Sequence, residues 1–384
     1  MVRPPSAIDM ARHHIEKEVK SFLVKSITHR NHNTQYTYLS IAAILVMAAW
    51  AGHSITDVAG APSTDTVFYW METTIERLDK VFRHFVEKIL NQTPRYWRRH
   101  TPYLLVDETY ESYTGKLLRK KWKTKKEKEL AKYIHAYKPK NGDTGSFKFL
   151  VFSLVGPTKK LVVRAIPIMA DNGMRSNDGK RHPEDTTPYI METIRWVRSY
   201  VKFRLVIMDC GFYDKELVRQ LNTENIPYLI RAEIRKTVRC MIDGLETKWA
   251  AVEYSIGKTS ISKGEKTILV IGKDGNEDWA LITNRLPTQA WRLRHYYRKR
   301  WNIENIFQVC DGISLHTNST EIEKKVFCFI VSCLVYNLWQ FSREKIEGMT
   351  LRRFTKRILE MIEEVLDKGP PKDKRRGDVR TAKI

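Results

Sequence analysis

Two apolar runs that stop dead at an aspartate constrain this chain more than any other feature of it. Leu104-Leu105-Val106 leads straight into Asp107, and Leu205-Val206-Ile207-Met208 leads straight into Asp209. A run of that kind reads as a buried strand of an α/β sheet, and its aspartate then sits at the sheet's carboxyl edge, where open α/β folds bind ligands. Either the carboxylates are compensated there by a divalent cation, or each one only caps the following turn, as Cys210-Gly211 would allow.

The order of elements around these runs fits a mixed sheet. Phe147–Val155 and Leu161–Ile168 are β-rich runs separated by a Gly156-Pro157 turn. A helix over Tyr189–Val201, a strand over Phe203–Met208, a helix over Asp214–Asn222 and a strand over Ile226–Arg231 follow. Between Glu233 and Arg285 the helical period is lost. Val238–Met241, Trp249–Ile256, Thr267–Ile271 and Trp279–Thr283 read as short strands of a β-rich insertion, 233–285. A long helix capped by Thr288 is expected to run to Cys310, with an apolar one over Glu321–Phe341.

The expected organisation has three parts. Residues 1–100 form a helical N-terminal domain, 101–345 the α/β core with its insertion, and 346–384 an amphipathic helix with a basic tail. In the first part Thr66–Leu90 carries apolar residues three or four apart. Residues 54–73 read as two short helices across Gly60, which is either a helix-turn-helix with Thr64 and Thr66 at the DNA or a plain helical hairpin.

Charge narrows the partners. There are 67 Lys and Arg against 44 Asp and Glu, a net charge of +23. Such an excess is self-repulsive unless a polyanion neutralises it, so DNA or RNA is the expected partner, with a membrane surface the weaker alternative. Neither Ile41–Trp50 nor Val326–Leu338 reaches the about 20 apolar residues of a membrane span. The five cysteines form no CxxC pair and no zinc pattern, as expected of free thiols in a reducing, cytoplasmic setting. Lys116, Arg119, Lys120, Lys121, Lys123, Lys125, Lys126 and Lys128 cluster around Trp122. That stretch is either a solvated loop or a phosphate-backbone contact.

A third acid joins the two aspartates. On the helix expected over 288–310, Tyr297, Arg300 and Glu304 fall at i, i+3 and i+7 and share a face, with Arg294, Arg298 and Lys299 nearby. Three carboxylates without a His or Cys cluster suit Mg²⁺ or Mn²⁺, two ions per site, rather than zinc. Glu108 stands beside Asp107, and strand alternation turns the two to opposite faces.

Tyr297-Arg298-Lys299-Arg300-Trp301-Asn302-Ile303-Glu304 resembles the Tyr-x2-Arg-x3-Glu pattern of DDE transposases from a large class of prokaryotic insertion sequences. Asp209-Cys210-Gly211-Phe212 is similar to that family's second acidic motif, and Leu105-Val106-Asp107-Glu108-Thr109 to its first. The resemblance runs from about Thr101 to Phe341 and implies a ribonuclease-H-like fold. It further implies metal ligands at Asp107, Asp209 and Glu304, phosphate contacts at Tyr297 and Arg300, and a homodimer that synapses the element's terminal inverted repeats before joining them to target DNA. Trp279, in Trp-Ala-Leu-Ile-Thr, matches a family strand whose indole stacks on a flipped base, although a strand tryptophan also serves as core. One position departs: the pattern has Lys seven residues after the glutamate, and Asp311 stands there, leaving Arg298, Lys299 or His316 to take its place. The departure keeps two other readings open, an inactive DNA-binding descendant and a ribonuclease-H-like nuclease without strand transfer.

Overall fold

The computed structural model describes residues 74–113, 124–135, 144–170, 184–257, 264–275, 277–285, 290–313, 317, 319, 321–345, 349–354 and 356. The chain divides into two compact units, one of Phe82–Asp311 with Asn318–Ile322, the other of Met1–Val81, Gly312–Thr317 and Glu323–Ile384. The helix-turn-helix candidate at 54–73, with Thr64 and Thr66, lies outside the described residues. So do Lys120, Lys121, Lys123 and His316.

The larger unit is built on one mixed sheet. Its first five long strands are β1 (Tyr103–Tyr113), β3 (Gly145–Val155), β4 (Lys160–Ile168), β5 (Val206–Met208) and β6 (Tyr228–Arg231), with a two-residue β2 (Ile134–His135) against β3. β3 runs antiparallel between β1 and β4, while β5 and β6 add on the other side of β1 as parallel neighbours. The order β4-β3-β1-β5-β6 with helices between the parallel strands is the expected ribonuclease-H-like core. β3, β4 and β5 are buried almost throughout, so both faces of the sheet are covered, as near-continuous apolar runs require.

Helices close the faces. α1 (Ile75–Gln92) and α2 (Pro94–Arg99) precede β1, and α3 (Lys125–Tyr133) precedes β2. α4 (Thr187–Tyr200) links β4 to β5, and α5 (Lys215–Thr223) links β5 to β6. The buried Arg164 of β4 ties the sheet to α4, donating to Glu192 at 2.9 Å and to Thr193 at 2.8 Å. Asp214 begins α5 by accepting from the backbone N–H of Leu217 at 2.9 Å.

Three expectations are corrected. β1 does not end at Val106: it continues to Tyr113, because its second half pairs residue for residue with β3. Asp107 therefore lies within a strand and not at its end. The stretch Val238–Met241 is helical, part of α6 (Lys236–Asp243), with Val238 and Ile242 on its buried face one turn apart. The remaining insertion strands are β7 (Trp249–Ile256), β8 (Glu265–Asp274) and β9 (Glu277–Thr283). β9 pairs antiparallel with β6 and extends the core sheet through β8 to β7. Gly275 turns the β8–β9 hairpin at φ +63°, a conformation that favours glycine. Finally, the single helix expected to Cys310 is two, α7 (Ala290–Tyr297) and α8 (Trp301–Asp311), joined by a 3₁₀ turn over Arg298–Arg300.

The other unit contributes α9 (Ile322–Lys345). Its segment Ile322–Arg343 is long and apolar enough to cross a membrane by length and composition, longer than the run read from sequence, but 89% of its apolar window is buried inside the protein. Asn337 is fully buried along with the aliphatic residues, as in a core helix.

Asp214→Ala removes the α5 cap and is expected to lower stability by about 1 kcal/mol in urea unfolding, whereas Asp214→Asn keeps most of it.

Candidate active site

The register of β1 against β5 brings the first two acids together. Leu104, Leu105 and Val106 pair with Val206, Ile207 and Met208, so Asp107 and Asp209 each follow the last rung of the same ladder. The two carboxyls feel one another: Asp209 pushes the Asp107 pKa upward. Asp107 stays on the inner face, while Glu108 turns to the opposite one and pairs with Lys148 at 2.6 Å.

The third acid arrives with α8. Arg300, in the 3₁₀ turn, donates from Nη1 to Asp107 Oδ2 at 2.7 Å and from Nη2 to Glu304 Oε1 at 2.6 Å. Its guanidinium thus stands between two acids that are 197 positions apart in the chain (304 less 107). Tyr297, at the end of α7, donates its hydroxyl to Asp209 Oδ1 at 2.8 Å. The backbone N–H of Glu108 donates to Asp107 Oδ1 at 2.9 Å. Two hydrogen-bonded groups result, Arg300 with Asp107 and Glu304 and Tyr297 with Asp209, and the Arg300 guanidinium lies 6.0 Å from the Tyr297 ring centre.

Burial sets its electrostatics. Burial raises the Asp107 carboxyl from its ordinary value near 3.8 to about 6, against the pull of Arg300 and the Glu108 N–H. Burial also opposes the charge on Arg300, yet Asp107, Tyr297, Asp209 and Glu304 together hold its pKa up. Burial and the Asp209 carboxylate push the Tyr297 hydroxyl up, so it remains a protonated donor. Three carboxylates against one guanidinium leave the group net negative. Its oxygen donors fit a hard divalent cation. As arranged, however, no three acids among the described residues form a ready ligand set. Arg300 fills the position between Asp107 and Glu304.

Next to the acids lies a cavity of about 540 Å³ lined by Trp279, Arg294, Tyr297, Arg298, Arg300 and Trp301, among others. The Trp279 indole is half-buried in β9 and lies against Gly272 of β8, where a Cβ would collide with it. Arg294 packs 5.3 Å from the Trp279 ring centre and bonds Glu277 at 2.8 Å. Arg298 is exposed and pairs with Asp274 at 3.1 Å, and Trp301 is 61% exposed at the cavity's mouth. The half-buried Lys299 accepts at its carbonyl from Asn302 at 2.8 Å. Lys125 is exposed at the start of α3, and Asp311 is exposed at the end of α8. Arg231 also lines the cavity and was not singled out from sequence. Its signal was there: it ends the next parallel strand, one residue past the Met208–Ile230 rung.

The raised Asp107 pKa predicts a pH-dependent stability. The folded chain binds the Asp107 proton more tightly than the unfolded chain does, so ionisation costs the folded state up to about 3 kcal/mol. The cost is absent below about pH 4 and complete above about pH 6. In EDTA at pH 8, Asp107→Asn is therefore expected to melt above the wild type, with the gap closing as pH falls to about 4. Parallel melting curves at both pH values check it.

A family model described as a transposase DDE domain matches residues 122–338, more than half of the chain. The matched stretch includes Asp209, Tyr297, Arg300 and Glu304 and begins beyond Asp107. Among solved structures, that of a piggyBac transposase synaptic complex with hairpin DNA is similar at a TM-score of 0.52 and 14% identity, covering 94% of this chain and 80% of that one. No curated protein matches the chain. At that identity the structural likeness speaks for the fold alone, and it agrees with the ribonuclease-H-like sheet. The sheet order, the constellation around Arg300 and the match over 122–338 lead to one conclusion: the chain belongs to the DDE transposase family.

Proposed function

We propose that the chain moves an insertion sequence, nicking DNA at the element's ends to free 3′-hydroxyls and then transferring those strands to target DNA. What supports this reading is that the half-buried Arg300 bridges Asp107 and Glu304 while Tyr297, three residues before it, holds Asp209, beside a basic, aromatic cavity.

In this account Asp107, Asp209 and Glu304 would hold two Mg²⁺ or Mn²⁺ ions, and the chemistry supplied there would be Lewis-acid activation of the attacking oxygen and stabilisation of the leaving one. The chain's own residues prepare that arrangement. Arg300 neutralises Asp107 and Glu304 until DNA arrives, then turns from the acids to a backbone phosphate, a partner its planar fork fits well. Tyr297 keeps its proton, holds Asp209 in position and presents its ring edge to the sugar-phosphate chain. Trp279 and Trp301 offer flat faces on which an unstacked base at the nick can rest. Arg294, Arg298 and Lys299 line the phosphate path, and the basic segment with Lys120, Lys121, Lys123 and Lys125 adds backbone contacts, as Thr64 and Thr66 do from the N-terminal module. Two ends held together call for a homodimer in the synapsed complex, on DNA near the nucleoid.

Asp311, a carboxylate where the family pattern has lysine, favours a second reading in which the chain binds ends without cutting them. One experiment separates the two. Full-length protein incubated with DNA spanning the element's ends and Mg²⁺ is expected to yield nicks with 3′-hydroxyls that EDTA and Asp209→Asn both abolish. Binding without nicking selects the second reading, and equal nicking by Asp209→Asn contradicts the assignment of the acids. Arg300→Ala is expected to reduce nicking by about 10²-fold or more, since both its roles are lost.

A further inference from the structure

Asp107 is not the only side chain of β1 that meets the α7–α8 segment. Tyr103 lies four residues before it, so strand alternation turns both to the same face. Asp107 meets Arg300, and Tyr103 meets Tyr296 with ring centres 5.6 Å apart. Arg204 completes this second group. Its guanidinium lies 5.8 Å from the centre of the Tyr103 ring and 5.7 Å from that of Tyr296, and it donates to the Tyr296 hydroxyl at 3.4 Å. The Arg204 backbone N–H donates to the Pro102 carbonyl at 2.8 Å, fixing the loop before β5 to the start of β1.

Arg204 is exposed, and its contacts among the described residues include no carboxylate. Three other exposed arginines of the same unit are neutralised: Arg195 pairs with Glu224, Arg219 with Glu216 and Arg235 with Glu233. Lys202, two residues before Arg204, and His100, two before Pro102, are also exposed and make no ion pair among the described residues. On a chain of +23, an unneutralised cluster adds self-repulsion that an anionic partner removes. The guanidinium sits beside the Tyr103–Tyr296 ring pair, and its contacts with both rings restrain it, so binding a phosphate costs less ordering than for an uncontacted side chain.

We propose that Arg204, held beside the Tyr103–Tyr296 ring pair, is a backbone-phosphate contact for duplex DNA outside the acid site. Four residues of β1 span about 13 Å, or about four base pairs, so one duplex reaches both places. The proposal rests on the reading that the chain acts on DNA but needs no step of the chemistry.

The test is fluorescence anisotropy of a mixed-sequence linear duplex with the full chain in EDTA, across a salt series. Arg204→Ala is expected to weaken binding several-fold and to flatten the slope of log K against log salt by about 0.9, the value for one phosphate. Arg204→Gln should do the same, and Arg204→Lys should keep the slope. Arg195→Ala, which removes an arginine already neutralised, should leave both readings at wild-type values. Wild-type slope and affinity in Arg204→Ala and Arg204→Gln would overturn the proposal, as would an equal loss in Arg195→Ala. Because nothing is cut in EDTA, a failure of the nicking assay leaves this result standing, and the reverse holds too.

Discussion

The site depends on a parallel ladder of three rungs. Leu104–Val106 of β1 and Val206–Met208 of β5 are fully buried, and their pairing ends at the same level on both strands. Whatever residue follows each run is thereby brought to one place, and in both cases it is an aspartate. A slip by one residue would turn Asp107 to the other face and put Glu108, with its Lys148 partner, beside Asp209. The apolar surface of the two strands holds the register, and the register holds the acids.

Bringing buried carboxylates together is unfavourable, and the raised Asp107 pKa records it. Arg300 relieves part of the repulsion by bridging Asp107 and Glu304 with two short hydrogen bonds. The 3₁₀ turn that carries Arg300 also separates α7 from α8, so that Tyr297 reaches Asp209 while Glu304 reaches the guanidinium. One arginine against three acids is an incomplete neutralisation. In our account that residual negative charge draws divalent ions, and the arginine then passes to the DNA backbone.

Much of this was legible in the sequence because buried strands of an α/β sheet are continuous apolar runs. β3, β4, β5 and β6 stand out for that reason, as do the first two acidic motifs, whereas Glu304 was read from its helical spacing with Tyr297 and Arg300. The second half of β1 was not legible: Asp107-Glu108-Thr109-Tyr110-Glu111-Ser112-Tyr113 has no apolar run and is a strand because β3 is there to pair with it. Helix α6 was misread because Val238-Arg239-Cys240-Met241 alternates like a strand over four residues, and only Ile242, one turn from Val238, reveals the helical face. The break between α7 and α8 has no proline or glycine to announce it. The insertion's strands could be seen, but a local sequence window does not contain the β6–β9 pairing that joins them to the core.

The most direct test of the acid centre is manganese binding to the full chain without DNA, followed by electron paramagnetic resonance of the free ion. The account predicts saturable loss of the free Mn²⁺ signal with wild type, and a much weaker loss with either Asp107→Asn or Asp209→Asn. Undiminished Mn²⁺ uptake by both variants would contradict it.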